Sequence, residues 1–169
     1  DDETRFELSR RLCLPYDTFR ELKQHCEKVG IEFMSTPDGF ESLDFLVDEL
    51  DMRRIKIGST ELNHLPFLEA VGAKRRPVFI STGLGNLAEV EMAVAALRRG
   101  GGDDLPVAVL QCTSEYPAPP EEMNLRVLLS YASALHLPVG LSDHSSGYEA
   151  SIAAVALGAT VIEKHFTLS

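Results

Sequence analysis

The residues able to do chemistry gather at the ends of short apolar runs. His144 and His165 each close such a run, and the two runs follow one another in the chain. Two neutral imidazoles side by side at neighbouring strand ends are good divalent-metal ligands, whereas a single strand-end histidine is ordinarily a hydrogen-bonded polar residue. Lys56 stands between Ile55 and Ile57. In a strand of period two, the isoleucines take one face and the lysine the other, which here is the interior. An ammonium there must meet an anion or lose its proton. That leaves three readings for Lys56: a holder of an anionic substrate, a Schiff-base amine, or a structural ion pair with a carboxylate such as Glu163. The same alternation puts Glu163 and His165 on one face, and Ser142 and His144 on one face. His25, His64 and His136 fall in helices or loops and are expected to face solvent.

Two further segments carry chemistry only in context. Gly83-Leu84-Gly85-Asn86-Leu87-Ala88 follows an apolar run and opens a helical pattern, as a dinucleotide-binding fingerprint does. The acidic partner expected at the end of the next strand is absent, since Asp103 and Asp104 precede that strand and its end reads Gln111-Cys112-Thr113. The better reading is a Gly-rich turn feeding a helix N-terminus that can face a phosphate or carboxylate. Tyr116-Pro117-Ala118-Pro119-Pro120 is a stiff, extended connection, suited to be a substrate wall with the Tyr116 ring as its contact.

These residues need elements to position them. β-branched or apolar runs recur at 31–34, 55–57, 78–80, 107–110, 139–141 and 161–162, with 22 to 32 residues between successive starts. Helical patterns lie between them. Within 40–50, Leu43, Leu46, Val47 and Leu50 fall at i, i+3, i+4 and i+7; within 87–99, Val90, Val94 and Leu97 do the same. A further helix is expected over 18–29. Thr18/Glu21, Asp38/Glu41, Asn86/Glu89 and Ser146/Glu149 read as capping boxes, Gly100-Gly101-Gly102 as one helix end and Pro138 as another. The alternation predicts βαβ units and a parallel sheet. All six runs end in polar residues, such as Ser81-Thr82, Cys112-Thr113-Ser114 and Ser142-Asp143-His144. A doubly wound sheet concentrates its site at one switch point, whereas a barrel collects every C-terminal strand end at one mouth, so the barrel is favoured. Eight strands close such a barrel. The fold class expected is therefore α/β, a partial (β/α)8 barrel of about six units. Residues 1–169 are expected to form one domain, with two N-terminal units missing.

Composition narrows the partners. Hydrophobic residues at 44% and charged residues at 25% suit a soluble globular chain. Acidic residues outnumber basic ones 26 to 16, which argues against nucleic acid, whose phosphates reward Lys/Arg surfaces. No apolar run suits a bilayer span and no secretory leader is recognisable. The three cysteines, Cys13, Cys26 and Cys112, are odd in number and show no CxxC spacing, so reduced thiols in a cytoplasmic protein are expected.

Five motifs in order resemble the sialic acid (N-acetylneuraminate) synthase family, which includes synthases of related nonulosonic acids. They are Lys56-Ile57-Gly58-Ser59-Thr60-Glu61, Ile80-Ser81-Thr82-Gly83, Cys112-Thr113-Ser114-Glu115-Tyr116-Pro117, Gly140-Leu141-Ser142-Asp143-His144 and Ile162-Glu163-Lys164-His165-Phe166-Thr167. The resemblance runs from about Leu14 to the last residue. It implies a cytoplasmic transferase that condenses phosphoenolpyruvate with an N-acylated hexosamine aldehyde at a divalent metal, Mn²⁺ with Mg²⁺ or Co²⁺ as alternatives. It further implies that His144 and His165 ligate the metal, and that Lys56, Ser59, Ser81, Ser114 and Ser142 hold the phosphate and carboxylate. Glu61 and Tyr116 would contact the sugar, with Glu61 as the proton-transfer candidate. Full-length members are (β/α)8 barrels followed by a small antifreeze-like domain, usually in a homodimer. Relative to that pattern, the first two strands and the antifreeze-like domain are missing, so this chain is expected to be a fragment. Two alternatives stand beside this reading: a Schiff-base aldolase using Lys56 or Lys164, and a non-catalytic barrel fragment.

Overall fold

The computed structural model describes residues 4–167, so the Asp1-Asp2 start and the end of the resemblance at Leu168 and Ser169 lie outside the described residues. The chain falls into two compact units, 1–33 and 34–169.

The first unit holds α1 (Arg5–Leu12) and α2 (Tyr16–Val29). Pro15 leads into α2, and its carbonyl takes the Thr18 amide at 3.0 Å. Thr18 thus lies inside the first turn rather than before it, and the expected Thr18/Glu21 capping box is not formed. Gly30 ends the helix at φ 77°, a left-handed conformation that costs glycine nothing. The run 31–34, expected as the first strand, has no regular structure. β-branched residues favour a strand only where a neighbouring strand completes its ladder, and the sheet begins at Ile55.

That sheet belongs to the second unit. β1 (Ile55–Ile57), β2 (Val78–Ser81), β3 (Val107–Cys112), β4 (Val139–Asp143) and β5 (Val161–Lys164) pair in parallel in chain order, five strands where six were expected. An order without reversal has no switch point and is the order of a barrel. The curl is visible in one contact. Lys56 Nζ on β1 lies 3.4 Å from Glu163 Oε2 on β5, at opposite edges of the sheet. Laid flat, those strands would be roughly 19 Å apart. Both side chains must therefore project into a shared interior, and the unit is a curled half-barrel.

Helices cover the outside. α3 (Phe40–Asp44) passes into a π-helical turn, Phe45–Glu49, so the expected 40–50 helix is present but widened after Asp44; Phe45, Leu46 and Val47 are all buried. α4 (Leu65–Ala73), α5 (Leu87–Gly101), α6 (Val127–Leu135) and α7 (Glu149–Ala156) complete the set. Of the remaining capping boxes, Asn86/Glu89 forms as expected: Asn86 Oδ1 accepts from Glu89 N at 3.1 Å and Glu89 Oε2 from Asn86 N at 2.8 Å. Ser42, not Asp38, caps α3, its Oγ accepting from both Asp38 N and Gly39 N. α7 begins after Tyr148, without a side-chain cap from Ser146. The Gly triplet ends α5, with Gly102 as the cap. Gly100 also serves packing: a Cβ there would lie 1.9 Å from Glu69 O of α4. The core combines strand residues (Ile55, Ile57, Ile80, Val109, Leu141) with helix residues (Phe67, Val71, Val90, Leu97), all essentially without solvent contact. Among the described residues, no helix is long and apolar enough to cross a membrane.

Candidate active site

The C-terminal strand ends assemble three connected groups. On β1, Lys56 is buried, as its alternation requires, and its Nζ donates to Ile57 O at 2.9 Å. Opposite, Ser142 Oγ donates to Glu163 Oε1 at 2.7 Å, so Lys56, Glu163 and Ser142 form one polar chain across the interior. The sequence offered Glu163 as a structural partner for Lys56, and that pairing exists. Burial pulls the Lys56 pKa down from its ordinary value, while Glu163 and Cys112 oppose the shift.

The second group is aromatic. His144 and His165 have ring centroids 5.4 Å apart, and Tyr116 stacks on His144 at 4.0 Å while presenting its edge to His165 at 5.3 Å. His144 Nδ1 lies 2.7 Å from Thr113 O. A carbonyl only accepts, so Nδ1 carries the proton and the lone pair is on Nε2. Burial holds the His144 pKa below its ordinary value, outweighing the Thr113 hydrogen bond; His165 and Lys56 lower it further and Glu163 raises it. His144 is therefore neutral at neutral pH, with a free nitrogen, as a metal ligand must be. A ring whose other nitrogen is anchored on a backbone carbonyl is also the usual orientation device for such ligands. A small cavity of about 90 Å³ opens among Ser142, His144, Glu163 and His165. The donor set fits a divalent ion at two imidazoles. Among the described residues, no group of three or more His, Cys, Asp or Glu side chains converges to enclose one.

The third group is a cradle of hydroxyls. Gly83 N donates to Ser59 Oγ at 2.9 Å, and a Cβ on Gly83 would collide with Ser114 Oγ at 2.2 Å and Ser59 Oγ at 2.8 Å. Glycine is thus what lets the ends of three strands meet. Ser81 Oγ is buried beside them with no hydrogen-bond partner among the described residues. Leaving such an atom unsatisfied costs about 1–3 kcal/mol, which invites a bound polar ligand. The Gly83–Ala88 segment accordingly behaves as the Gly-rich turn expected of it.

Glu61 is the candidate that stands apart. It lies in a 3-10 turn after β1, with His64 Nδ1 3.1 Å from its Oε2, and its charge helps raise the pKa of Asp38, whose burial is the larger cause. His25, His64 and His136 are exposed. Sequence reasoning passed over Thr113 and Cys112, the latter with Sγ 4.0 Å from both His144 ring nitrogens, because strand-end position alone does not reveal which neighbour a ring will face. It also gave Asp143 and Lys164 no role beyond their place at strand ends, apart from Lys164 as a rival Schiff-base amine. A parallel sheet in barrel order with imidazoles, hydroxyls and a lysine at its C-terminal strand ends defines the class: a barrel-type α/β protein with a candidate site at the mouth.

Residues 1–169 match the NeuB family, and the chain belongs to it. It is 43% identical over 168 residues to an N,N'-diacetyllegionaminic acid synthase of Campylobacter jejuni, covering 99% of this chain and 50% of that protein. It is 37% identical over 163 residues to the N-acetylneuraminate-9-phosphate synthase of Homo sapiens, covering 96% and 44% respectively. The crystal structure of N-acetylneuraminic acid synthetase from Leptospira borgpetersenii in complex with citrate superposes with a TM-score of 0.87 at 33% identity, over 92% of this chain and 53% of that one. The chain spans about half the length of the curated relatives it matches.

Proposed function

We propose that this chain supplies the phosphate- and metal-binding strands of an enzyme that condenses phosphoenolpyruvate with an N-acylated hexosamine aldehyde. The products are a nonulosonic acid and phosphate. In the active enzyme, the five strands are joined by those that complete the barrel. The observation that carries this reading is the placement of an imidazole pair at the same mouth as a hydroxyl-lined cradle and a buried lysine. The names of the two relatives given above, an N,N'-diacetyllegionaminic acid synthase and an N-acetylneuraminate-9-phosphate synthase, support the same chemistry.

The cradle of Ser59, Ser81, Ser114 and Gly83 N holds the phosphate, and Lys56 with Ser142 holds the carboxylate. Charge on the anion replaces Glu163 as the partner of the buried Lys56, and Glu163, whose side chain is partly exposed, turns to water. His144 and His165 hold the divalent ion, Mn²⁺ first, which when bound polarises the open-chain aldehyde. Tyr116 forms the wall against which the sugar lies, and Glu61, outside the three groups but in the same turn as the cradle's Ser59, handles the proton once the sugar is bound. The methylene carbon C3 of phosphoenolpyruvate then forms the new C–C bond to the aldehyde carbon, whose oxygen takes up a proton; water adds at C2 and releases a proton, and phosphate departs by C–O cleavage. Holding both substrates in line is chiefly proximity and electrostatics. Activity in the cytoplasm and assembly as a homodimer belong to the same reading.

The test is phosphate release from phosphoenolpyruvate by the full-length enzyme containing this chain, with Mn²⁺ and either N-acetylmannosamine or a diacetamido hexose. Release should require sugar and metal together and vanish in His144→Ala. Release that ignores the metal would sink the reading. The lowered pKa of Lys56 favours one rival, a Schiff-base aldolase. Borohydride trapping with pyruvate distinguishes it, since only the aldolase leaves a covalent adduct on Lys56.

A further inference from the structure

On β4 and β5 the register sets Ser142 opposite Glu163 and Asp143 opposite Lys164, immediately before His144 and His165. Side chains close both rungs, on opposite faces of the sheet. The inner rung is the Ser142–Glu163 hydrogen bond already described. The outer rung is an ion pair, with Lys164 Nζ 3.0 Å from Asp143 Oδ2 and the Asp143 side chain wholly buried. The same carboxylate accepts from Ser145 N at 2.8 Å, from Ser145 Oγ at 2.6 Å and from Ser151 Oγ of α7 at 2.5 Å. Lys164 Nζ also donates to Ser145 O at 2.8 Å. One carboxylate thereby ties the end of β4, the turn after His144 and the first turn of α7 to the end of β5.

Alternation turns the Asp143 and Lys164 side chains away from the interior face that carries Lys56, Ser142 and Glu163, so they act on the histidines through the backbone. Each is covalently next to one of them. A metal site tolerates ligand displacements of only about 0.2 Å, and the two histidines stand on separate strands whose mutual position the outer rung fixes. The geometry points to Asp143 and Lys164 as positioning residues that set the separation of the His144 and His165 rings. This inference rests on the metal reading above.

The experiment is a titration of the full-length enzyme with Mn²⁺, followed by electron paramagnetic resonance of the free ion, and with Co²⁺, followed by its visible absorption bands. Lys164→Met is the mild variant, Lys164→Arg the conservative rescue, and Asp143→Asn the stronger disruption, with circular dichroism confirming that each is folded. Lys74→Met is the control. It breaks ion pairs to Asp44 and Asp48 that lie on helices, away from the mouth, and so weakens the fold alone. Lys164→Met should raise the Mn²⁺ Kd by about 10- to 100-fold and alter the Co²⁺ bands. Lys164→Arg should restore most of the affinity, and Lys74→Met should leave both readouts unchanged. If Lys164→Met and Asp143→Asn bind both ions as the unaltered enzyme does, the positioning role is wrong. If Lys74→Met weakens binding equally, the effect is general destabilisation and the role is likewise wrong. Should the unaltered enzyme bind neither ion, the metal reading itself falls and the inference falls with it, a failure visible before any substitution is made.

Discussion

Ser81 separates a ligand-binding hydroxyl from a structural one. Its Oγ is buried and unpaired among the described residues, so in the free protein it costs stability rather than adding any. Ser81→Ala is therefore expected to leave thermal and urea stability unchanged or raise it by up to about 1 kcal/mol, while KM for phosphoenolpyruvate rises. A loss of stability with unchanged KM would make the hydroxyl structural. Asp143 behaves in the opposite way. Burial alone would raise its pKa, but hydrogen bonds from Ser145 and Ser151 and the Lys164 ammonium outweigh burial and hold it at about 2. A carboxylate with a depressed folded-state pKa contributes stability fully above its unfolded pKa, near 4, and loses it as pH falls through the folded value. The contribution is about 2 kcal/mol. Urea unfolding of the unaltered protein and of Asp143→Asn should thus differ most above pH 4, and the gap should close between about pH 4 and pH 2. A gap independent of pH would assign the cost of the substitution to packing instead.

At the scale of elements, helix propensity and packing make opposite forecasts for Gly100. Alanine is the better helix former by about 1 kcal/mol, yet its Cβ would lie 1.9 Å from Glu69 O in α4. Close approach of the two helices wins. Gly100→Ala should destabilise by about 1–3 kcal/mol in urea unfolding, and a stabilised variant would mean that α4 and α5 separate freely. Asn86→Ala, which removes the side-chain arm of the α5 capping box while the backbone amide still donates to Glu89, should cost about 1 kcal/mol. That box was legible because both partners lie three residues apart in one chain segment. The cap of α3 was not, because Glu41 and Ser42 are both spaced to take the Asp38 amide and the winner depends on how the chain enters from 34–38. Strand positions 55–57 and 161–162 were legible because alternation with period two leaves its mark within a few residues. The run 31–34 carried the same mark without becoming a strand, since pairing is decided by distant neighbours. For the same reason Lys56–Glu163 was readable as a pair of inward residues, whereas the Asp143–Lys164 rung needed the β4–β5 register, which no local pattern contains.

For the whole molecule, the Lys56–Glu163 contact joins the two edges of the curled sheet through its interior, and closure and function make separable demands on it. If the ion pair holds the curl, removing both partners should loosen it. If apolar packing of helices onto strands holds the curl, the pair serves only the site. Buried pairs are often replaced by apolar residues at no cost, whereas removing one partner strands the other, a penalty of about 3 kcal/mol for a lysine as buried as Lys56. Glu163→Leu alone is therefore expected to destabilise by about that amount. Lys56→Met alone should cost less, because Glu163 is partly exposed and keeps its Ser142 hydrogen bond. The double variant should return to within about 1 kcal/mol of the unaltered protein, giving a coupling energy that a double-mutant cycle in urea reads directly. Its kcat/KM for phosphoenolpyruvate should nonetheless fall by about 100-fold or more, because the anion has lost its cation. A double variant as unstable as the sum of the singles would show that the ion pair, and not the packing of Ile55, Ile57 and Leu141 beneath the helices, keeps the sheet curled around its site.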